Sequence, residues 1–371
     1  MKYLICASIM PAEVEKELPG ASPAAGGFIR SLEAGIKKRG FEVQECSYIA
    51  LKGAEESFDK HSLSVKNVVF KNKTIIQSVN RFKRMVLKNT EKDDVILFYN
   101  CDYYDFGLVE KLKKKGAIPL LILADYTESN EVKRNFLRKI IIKQQKKEFA
   151  KFDYAVILSD EARRFFNSTA KILVMEGGIV PERFKDITLA GKEKTTRFLY
   201  AGTLSNVTGV DLLLEAMSKI DDPDIELVIS GKGELTEEVV TASKKDSRIK
   251  YMGFMDEKQY LIALNSAHVF INPRNMTLPQ NRNNFPSKVL EYLACGRPVI
   301  STKFPGYTKF AENFIFCDDG IESLANCISD TCNLNDSDYV EYYRKNRKKS
   351  YDYSWDNQAE KIIDLIRPTN G

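Results

Sequence analysis

The chain has 371 residues, 43% of them hydrophobic, and its 56 Lys and Arg residues against 51 Asp and Glu residues give a net charge of +5. This length favours two domains with cores of their own. The modest charge, with no recognisable nucleic-acid-binding motif, argues against sequence-specific nucleic-acid binding. No apolar run approaches the roughly 18 residues that a membrane-spanning helix needs, which argues against an integral membrane protein.

The cysteines and the N-terminus indicate a reducing compartment. The seven Cys residues are an odd number without a Cys-x-x-Cys pair, so neither a disulfide framework nor a zinc site is expected. The short apolar run Met1–Met10 meets Pro11 and a charged segment without a small-residue cleavage site. It therefore predicts a first strand and no signal peptide. We expect a cytoplasmic protein.

The first half alternates predicted strands and helices, which favours a parallel sheet covered on both faces. Segment 50–90 is less regular, with two extended runs predicted at 65–70 and 73–76 and then a basic helix. The predicted strands are 3–8, 41–47, 95–99, 118–124 and 154–158. The predicted helices are 23–38, 108–115 and 131–149.

The alternation starts again near residue 195, so we expect an α/β protein with two Rossmann-like domains facing each other across a cleft. The domains are predicted at 1–187 and 188–353, and a final helix within 354–371 carries a broad apolar stripe. The predicted strands of the second half are 198–201, 225–230, 249–252 and 269–272, and its helices are 210–220, 236–244 and 257–264. Ligands of such sheets bind at the carboxyl ends of the strands, which places the site in the cleft.

Residues 283–302 predict a loop, a short helix, a stop at Gly296 and a buried strand. Pro286 suits the first turn, and the free N–H groups of residues 287–289 beside Lys288 form a positive helix end suited to phosphate. Glu291, three residues after Lys288, shares its face. Such a rim could hold a nucleotide, with phosphates on the rim and ribose hydroxyls on the acid. An ordinary surface helix with one ion pair is an equally valid interpretation.

The run Asn-Phe-Pro-Ser-Lys at 284–288, followed by Glu-Tyr-Leu-Ala-Cys-Gly-Arg-Pro-Val-Ile at 291–300, resembles the signature of the GT4-type ("group 1") retaining glycosyltransferases. The resemblance implies the GT-B fold, in which a final helix crosses back to the first domain. In that family two glutamates flank the donor, and the second, here Glu291, contacts its ribose. The first falls on Asn283, a departure often found in branches that build bacterial surface polysaccharides.

The resemblance also implies donor contacts in three loops of the second domain. In the wider family an Arg and a Lys neutralise the donor diphosphate in the loop where this chain has Thr203 and Thr208, so Lys288, helped by Lys232 or Arg282, must supply the cation. Gly202 also fits a plain tight turn, and Phe254 also fits a core aromatic. The implied donor-binding residues are Gly202, Thr203, Gly231, Lys232, Gly253, Phe254, Asn283, Asn284, Phe285, Pro286, Ser287, Lys288 and Glu291.

In the first domain, Gly26, Gly27 and Arg30 are expected on the acceptor side of the reaction centre, although a solvated Arg30 fits equally well. Asp125 and Glu128 follow a buried strand and could orient an acceptor hydroxyl, or Asp125 could cap the next helix. With Lys288, these two acids are the expected catalytic residues. His268 is expected in the core.

The resemblance implies a retaining transferase that moves a sugar from a nucleotide diphosphate, with UDP favoured over GDP, to a glycan acceptor that is expected to be lipid-linked. No metal and no further cofactor are expected, because helix ends and Lys can bind the phosphates. The basic segments 81–84 and 133–147 could contact the anionic inner face of the membrane, or be solvated helix faces. Asn283, Thr203 and Thr208, each in place of a charged residue, motivate the alternative of an inactive nucleotide-sugar-binding or partner subunit.

Overall fold

The computed structural model describes residues 1–124, 126, 136–278, 281 and 285–367. They form two compact units: a first unit of Met1–Gly177 with Trp355–Gly371, and a second unit of Gly178–Ser354. The first unit ends earlier than the expected boundary after residue 187, so the 3₁₀ turn Pro181–Phe184 belongs to the second unit.

The described strands of the first unit form a parallel sheet in the order β3-β2-β1-β4-β5-β6-β7. The chain reverses its direction of travel across the sheet between β1 and β4, where side chains after these strands can converge. The strands are β1 (Tyr3–Ala7), β2 (Val43–Ile49), β3 (Val68–Phe70), β4 (Val95–Tyr99), β5 (Ile118–Leu123), β6 (Tyr154–Ile157) and β7 (Lys171–Val174). The helices before residue 178 are α1 (Ala12–Glu17), α2 (Pro23–Lys38), α3 (Ala54–Lys60), α4 (Ile75–Asn89), α5 (Leu108–Lys114) and α6 (Phe136–Phe149).

The expected extended run at 73–76 is wrong, because α4 begins at Ile75. Asn72 favours this helix start: its side-chain oxygen accepts hydrogen bonds from Thr74 N at 3.1 Å and from Ser78 Oγ at 2.7 Å. This local turn, in which the Asn72 side chain binds the backbone two residues on, outweighs the extended preference of two adjacent isoleucines.

The second unit repeats the arrangement, with its described strands parallel in the order β10-β9-β8-β11-β12-β13. The reversal lies between β8 and β11. The strands are β8 (Thr196–Ala201), β9 (Ile225–Ser230), β10 (Ile249–Tyr251), β11 (Val269–Asn272), β12 (Val299–Thr302) and β13 (Ile315–Cys317). The helices are α7 (Val210–Lys219), α8 (Thr236–Lys245), α9 (Glu257–Ser266), α10 (Lys288–Cys295), α11 (Ile321–Thr331) and α12 (Asp336–Tyr351).

The last helix, α13 (Trp355–Ile366), returns to the first unit, as expected. Its apolar stripe, including Trp355 and Ile362, is buried. The contact with α2 depends on Gly35, because a Cβ there would lie 2.7 Å from the carbonyl oxygen of Trp355. The Trp355 ring meets Phe28 edge to face, with ring centroids 4.7 Å apart.

The helix α10 lies where the motif at residues 283–302 predicts it. Val289, Leu290 and Leu293 are at most 1% exposed and anchor the helix in the core of the second unit. Burying each such side chain stabilises the fold by about 1.5–3 kcal/mol. Gly296 ends the helix with φ of 71°, a left-handed conformation that favours glycine. The anchored helix therefore presents Ser287 and Lys288 at its amino end, beside the carboxyl ends of the strands.

Candidate functional site

Three loops at the carboxyl ends of β8, β9 and β10 are held together through glycine backbone. Gly231 has φ of 145°, and a Cβ there would lie 1.7 Å from the carbonyl oxygen of Gly202. The N–H of Gly231 donates to the carbonyl of Gly253 at 2.9 Å, and that of Gly202 to the carbonyl of Ser230 at 3.0 Å. Only glycine fits at position 231, so the role of this glycine is to let the loop after β9 pack directly against the loop after β8.

The loops border a first cavity of about 370 Å³ in the second unit. Its wall carries cations, carboxylates and aromatic rings close together, a composition suited to a polar ligand with a planar group. The lining residues are Arg183, Ala201, Gly202, Thr203, Ser230, Gly231, Lys232, Phe254, Met255, Asp256, Glu257, Tyr260 and Lys288. Phe254 is 70% exposed and is therefore no core residue; the Lys232 ammonium lies 5.1 Å from its ring centroid.

A network of charges joins α10 to this wall. Lys288 Nζ lies 3.1 Å from Glu291 Oε1 and 4.3 Å from the Tyr260 ring centroid. The Tyr260 hydroxyl donates to Glu291 Oε2 at 3.0 Å, and Arg183 Nη1 donates to the same oxygen at 3.3 Å. Arg183 also binds Glu257 through two hydrogen bonds of 2.6 and 2.7 Å. Glu291 itself does not line the cavity, but it is hydrogen-bonded to three residues that do, namely Lys288, Tyr260 and Arg183.

The network balances its own charges. The Arg183 hydrogen bonds lower the pKa of Glu257, and in return Glu257 raises the pKa of Arg183 above its usual range. Burial, with Glu291 nearby, raises the pKa of the Tyr260 hydroxyl well above 10, so Tyr260 is a neutral donor. Two cations thus face two carboxylates, and an anionic ligand must compete with Glu291 for Lys288.

A second cavity of about 260 Å³ adjoins the first and shares Ala201, Gly202, Thr203 and Lys288 with it. Its other lining residues are Tyr200, Thr208, Ile271, Asn272, Arg274, Pro286, Ser287 and Tyr292. The Thr208 hydroxyl is used inside the loop, donating to the carbonyl of Thr203 at 2.7 Å. Lys288, at the amino end of α10, therefore lines both cavities.

Most predicted donor residues thus meet around these two cavities. Phe285 does not: it is 7% exposed and packs against Phe304 and Phe310 in the core. Asn283, Asn284 and Arg282 lie outside the described residues.

The lining residues that sequence reasoning missed include Arg183, Glu257, Tyr260 and Arg274. Arg183 lies in a 3₁₀ turn, and Glu257 and Tyr260 lie in the predicted helix α9. No local pattern marks these three side chains as cavity residues. Arg274 lies two residues after the end of β11, and that position was a usable signal.

In the first unit, two of the three expected acceptor-side residues, Gly26 and Arg30, lie against Glu15. Arg30 donates to Glu15 Oε2 at 2.9 Å and to the carbonyl of Met10 at 3.0 Å. A Cβ on Gly26 would lie 1.8 Å from Glu15 Oε1, so the close approach that Gly26 allows is that of Glu15. A Cβ on Gly27 would meet nothing within 4 Å. The anion at Arg30 is thus the Glu15 carboxylate.

A smaller cavity of about 170 Å³ lies at the carboxyl end of β4 in the first unit. Its lining includes Asn100, Asp102, Tyr126, Gln145 and Lys146. Burial raises the pKa of Asp102. The expected acids Asp125 and Glu128 lie outside the described residues, which leaves Asp102 as the described carboxylate of this wall.

His268 is 4% exposed and lies in the core, as expected; its Nδ1 accepts the N–H of Arg197 at 2.8 Å. Among the described residues, no helix has the length and apolar character required to cross a membrane.

Comparison with known proteins places these features in context. Residues 195–333, which include both β8 and α10, match the family described as "Glycosyl transferases group 1". A curated relative, the amylovoran biosynthesis glycosyltransferase AmsK of Erwinia amylovora, is 26% identical over 148 residues, covering 38% of this chain and 36% of the relative. The match thus spans about a third of that relative's length.

Solved structures resemble the chain over nearly its whole length. An E. coli trehalose-6-phosphate protein bound with UDP-2-fluoro glucose has a TM-score of 0.68 at 12% identity, covering 99% of this chain and 100% of that one. Sucrose-phosphate synthase from Thermosynechococcus elongatus has 0.67 at 14%, covering 99% and 98%. Anabaena HepE in complex with UDP and glucose has 0.66 at 13%, covering 98% and 99%. At these identities the likeness shows the fold.

Proposed function

We propose that the chain transfers a sugar from a nucleotide-diphosphate donor to a glycan in bacterial surface polysaccharide synthesis. The GT-B fold and the match of residues 195–333 to the group 1 glycosyl transferases support this proposal. The observation that carries the proposal is the pair of adjoining cavities that share Lys288. The relative named for amylovoran biosynthesis supports a polysaccharide product. Neighbours solved with UDP or a UDP-sugar analogue support a nucleotide-sugar donor and favour UDP.

Lys288 and the amino end of α10 stabilise the diphosphate as it leaves. Charge develops on the departing phosphate, and a positioned ammonium with backbone N–H groups stabilises it more than it stabilises the bound donor. Removal of one such donor group from a catalytic site typically slows turnover about 100- to 1,000-fold. The exposed Phe254 ring, next to Lys232, offers a platform for the nucleobase, where stacking contributes about 1–3 kcal/mol.

Glu291 binds the donor ribose by exchanging one of its present partners. Its carboxylate has 18% of its side chain exposed and accepts from Lys288, Tyr260 and Arg183. When phosphate engages Lys288, a carboxylate oxygen becomes available to the ribose hydroxyls. Lys288 and Glu291 therefore pair with each other in the ligand-free protein, and in the donor complex Lys288 binds the phosphate and Glu291 binds the ribose.

The sugar keeps its anomeric configuration, with an oxygen of the donor phosphate taking the acceptor proton on the same face. This mechanism needs no protein base, so the acids of the first unit position the acceptor. Asp125 and Glu128 have that role in the proposal, and Asp102 is the acid that the described cavity of the first unit supplies.

The acceptor is a lipid-linked glycan at an anionic membrane surface. On α4 the side chains of Ile75 and Ile76 are 44% and 77% exposed, and Lys73, Arg81 and Arg84 are exposed nearby in sequence. Exposed isoleucines among cations are typical of a surface that inserts shallowly into a lipid interface.

The test is release of nucleoside diphosphate from a panel of UDP-, GDP-, ADP- and CDP-sugars by the purified full chain, followed by NMR of the liberated sugar. We expect slow release from one donor class, with the first-formed sugar retaining its configuration. Lys288→Ala should lower the rate about 100-fold or more. Lys219→Ala, an exposed lysine on α7, is the matched control. Donor binding without release from any sugar would contradict a catalytic role and favour a binding subunit.

A further inference from the structure

Arg274 lines the second cavity, and its guanidinium makes few hydrogen bonds to the described part of the protein. It follows β11 by two residues, and its Nη1 donates to Asn281 Oδ1 at 2.8 Å. Among the described residues this is the only hydrogen bond that the guanidinium makes. A guanidinium carries five N–H donors, so most of them remain available to a ligand in the cavity.

Structural arginines of the same unit behave differently. Arg297, which is 1% exposed, donates from all three nitrogens to the carbonyls of Ala267, Thr188 and Asn265. Arg248 likewise donates to carbonyl oxygens at the end of α7 and to Asp246. An arginine that holds the fold together therefore has its donors occupied in this protein, and Arg274 does not fit that pattern.

The charge of Arg274 is also unbalanced. No described carboxylate lies within ion-pair distance of it, whereas Arg183 faces Glu257 and Glu291, and Lys288 faces Glu291. Burial lowers the pKa of Arg274 from its usual value, as expected for a cation short of both water and counter-ion. A partly buried cation without a counter-ion stabilises any anion that enters its cavity.

The partner that orients Arg274 is neutral. Asn281 is fully buried, and its Nδ2 donates to the carbonyls of Val207 and Asn275 at 2.6 and 2.8 Å. The amide is thereby fixed with its oxygen towards the guanidinium. An aspartate would orient the guanidinium equally well but would cancel its charge. The amide holds Arg274 in place and leaves its positive charge for a ligand.

We propose that Arg274, together with Lys288, binds the diphosphate of the donor in the second cavity, taking the place of cations that Thr203 and Thr208 do not supply. This inference rests on the proposed function. In this inference the cation lies after β11 and not in the loop after β8, where Thr203 and Thr208 stand. Because β8 and β11 are neighbours in the sheet, Arg274 lines the same cavity as those two threonines. A bidentate guanidinium also fixes phosphate orientation, which a lysine alone does not.

The experiment measures calorimetric affinities of inorganic pyrophosphate, UDP, UMP and uridine for the full chain and for Arg274→Gln, with Arg274→Lys as the conservative variant. The charge-matched control is Lys194→Gln, whose side chain is 86% exposed. We expect Arg274→Gln to weaken UDP and pyrophosphate binding about 10- to 100-fold, as for loss of a charged hydrogen bond, and to change uridine binding less than about twofold. Arg274→Lys should recover part of the loss, and the control should match the wild type.

Two results overturn the inference and leave the proposed function standing. One is UDP affinity unchanged in Arg274→Gln. The other is an equal loss for uridine and UDP, which would mean that Arg274 only supports the loop. Wild-type protein that binds neither pyrophosphate nor any of several nucleoside diphosphates overturns both the inference and the proposed function.

Discussion

Replacing Glu291 by glutamine tests the donor site at a carboxylate with two competing roles, the ion pair with Lys288 and the proposed contact with the donor ribose. The substitution keeps the shape of the side chain and removes one negative charge from the network of Lys288, Tyr260 and Arg183. The amide oxygen can still accept from Tyr260, and Arg183 keeps Glu257. We therefore expect a loss of only about 1–2 kcal/mol in unfolding free energy, since a charged hydrogen bond contributes about 1.5–3 kcal/mol and part is recovered.

The effect on binding has two components of opposite sign. Loss of the carboxylate removes a charged hydrogen bond to ribose, equivalent to about a 10- to 100-fold weaker Kd. Release of Lys288 from its ion pair at 3.1 Å strengthens the phosphate contact. Uridine, which lacks phosphate, should show the full loss, whereas UDP should show a smaller one.

A cycle with 2′-deoxy- and 3′-deoxy-UDP isolates the ribose contact. In wild-type protein at least one deoxy analogue should bind about tenfold or more weakly than UDP, and in Glu291→Gln that preference should fall to a few-fold. Glu257→Gln, which removes the other carboxylate from Arg183, is the matched control and should keep the preference. If the preference for UDP is the same in Glu291→Gln as in the wild type, Glu291 does not contact the ribose and the reasoning is refuted.

Three further predictions concern stability and surface. Burial raises the pKa of Glu45 to about 7, with Glu33 adding to the shift, so the folded state binds its proton more tightly than the unfolded chain. Stability should fall by about 1–2 kcal/mol between pH 4.5 and 7, after allowance for partial exposure, and Glu45→Gln should flatten urea midpoints measured across that range. Gly231→Ala should displace the loop at Gly202 and abolish nucleotide binding while leaving far-UV circular dichroism near native; unchanged binding would contradict the packing described. Ile76→Glu should reduce co-sedimentation with anionic vesicles severalfold, and equal sedimentation of variant and wild type would remove α4 from the membrane proposal.

The sequence predicted what local periodicity and capping determine. The helix from Lys288, its end at Gly296 and the final helix from Trp355 all carry their signals within a few residues. The start of α4 was mispredicted because a single side-chain turn at Asn72 competes with the adjacent apolar residues Ile75 and Ile76. The short helices α1 and α3 fall in stretches where no such pattern was found.

The site was predicted less completely because its chemistry depends on distant partners. Arg183 and Glu291 are separated by 108 positions, and no spacing rule joins them. The anion bound by Arg30 is the carboxylate of Glu15, and the two residues are close only because α1 packs on α2. The unused guanidinium of Arg274 became visible only when its hydrogen bonds could be compared with those of Arg297.

The most direct measurement of the central claim is a crystal structure of the full chain with UDP or whichever nucleoside diphosphate binds best. Our account predicts phosphate oxygens within about 3 Å of Lys288 Nζ, beside the amino end of α10, and a ribose hydroxyl on Glu291. A nucleotide bound elsewhere on the chain, with the Lys288–Glu291 pair intact as in the ligand-free protein, would contradict it.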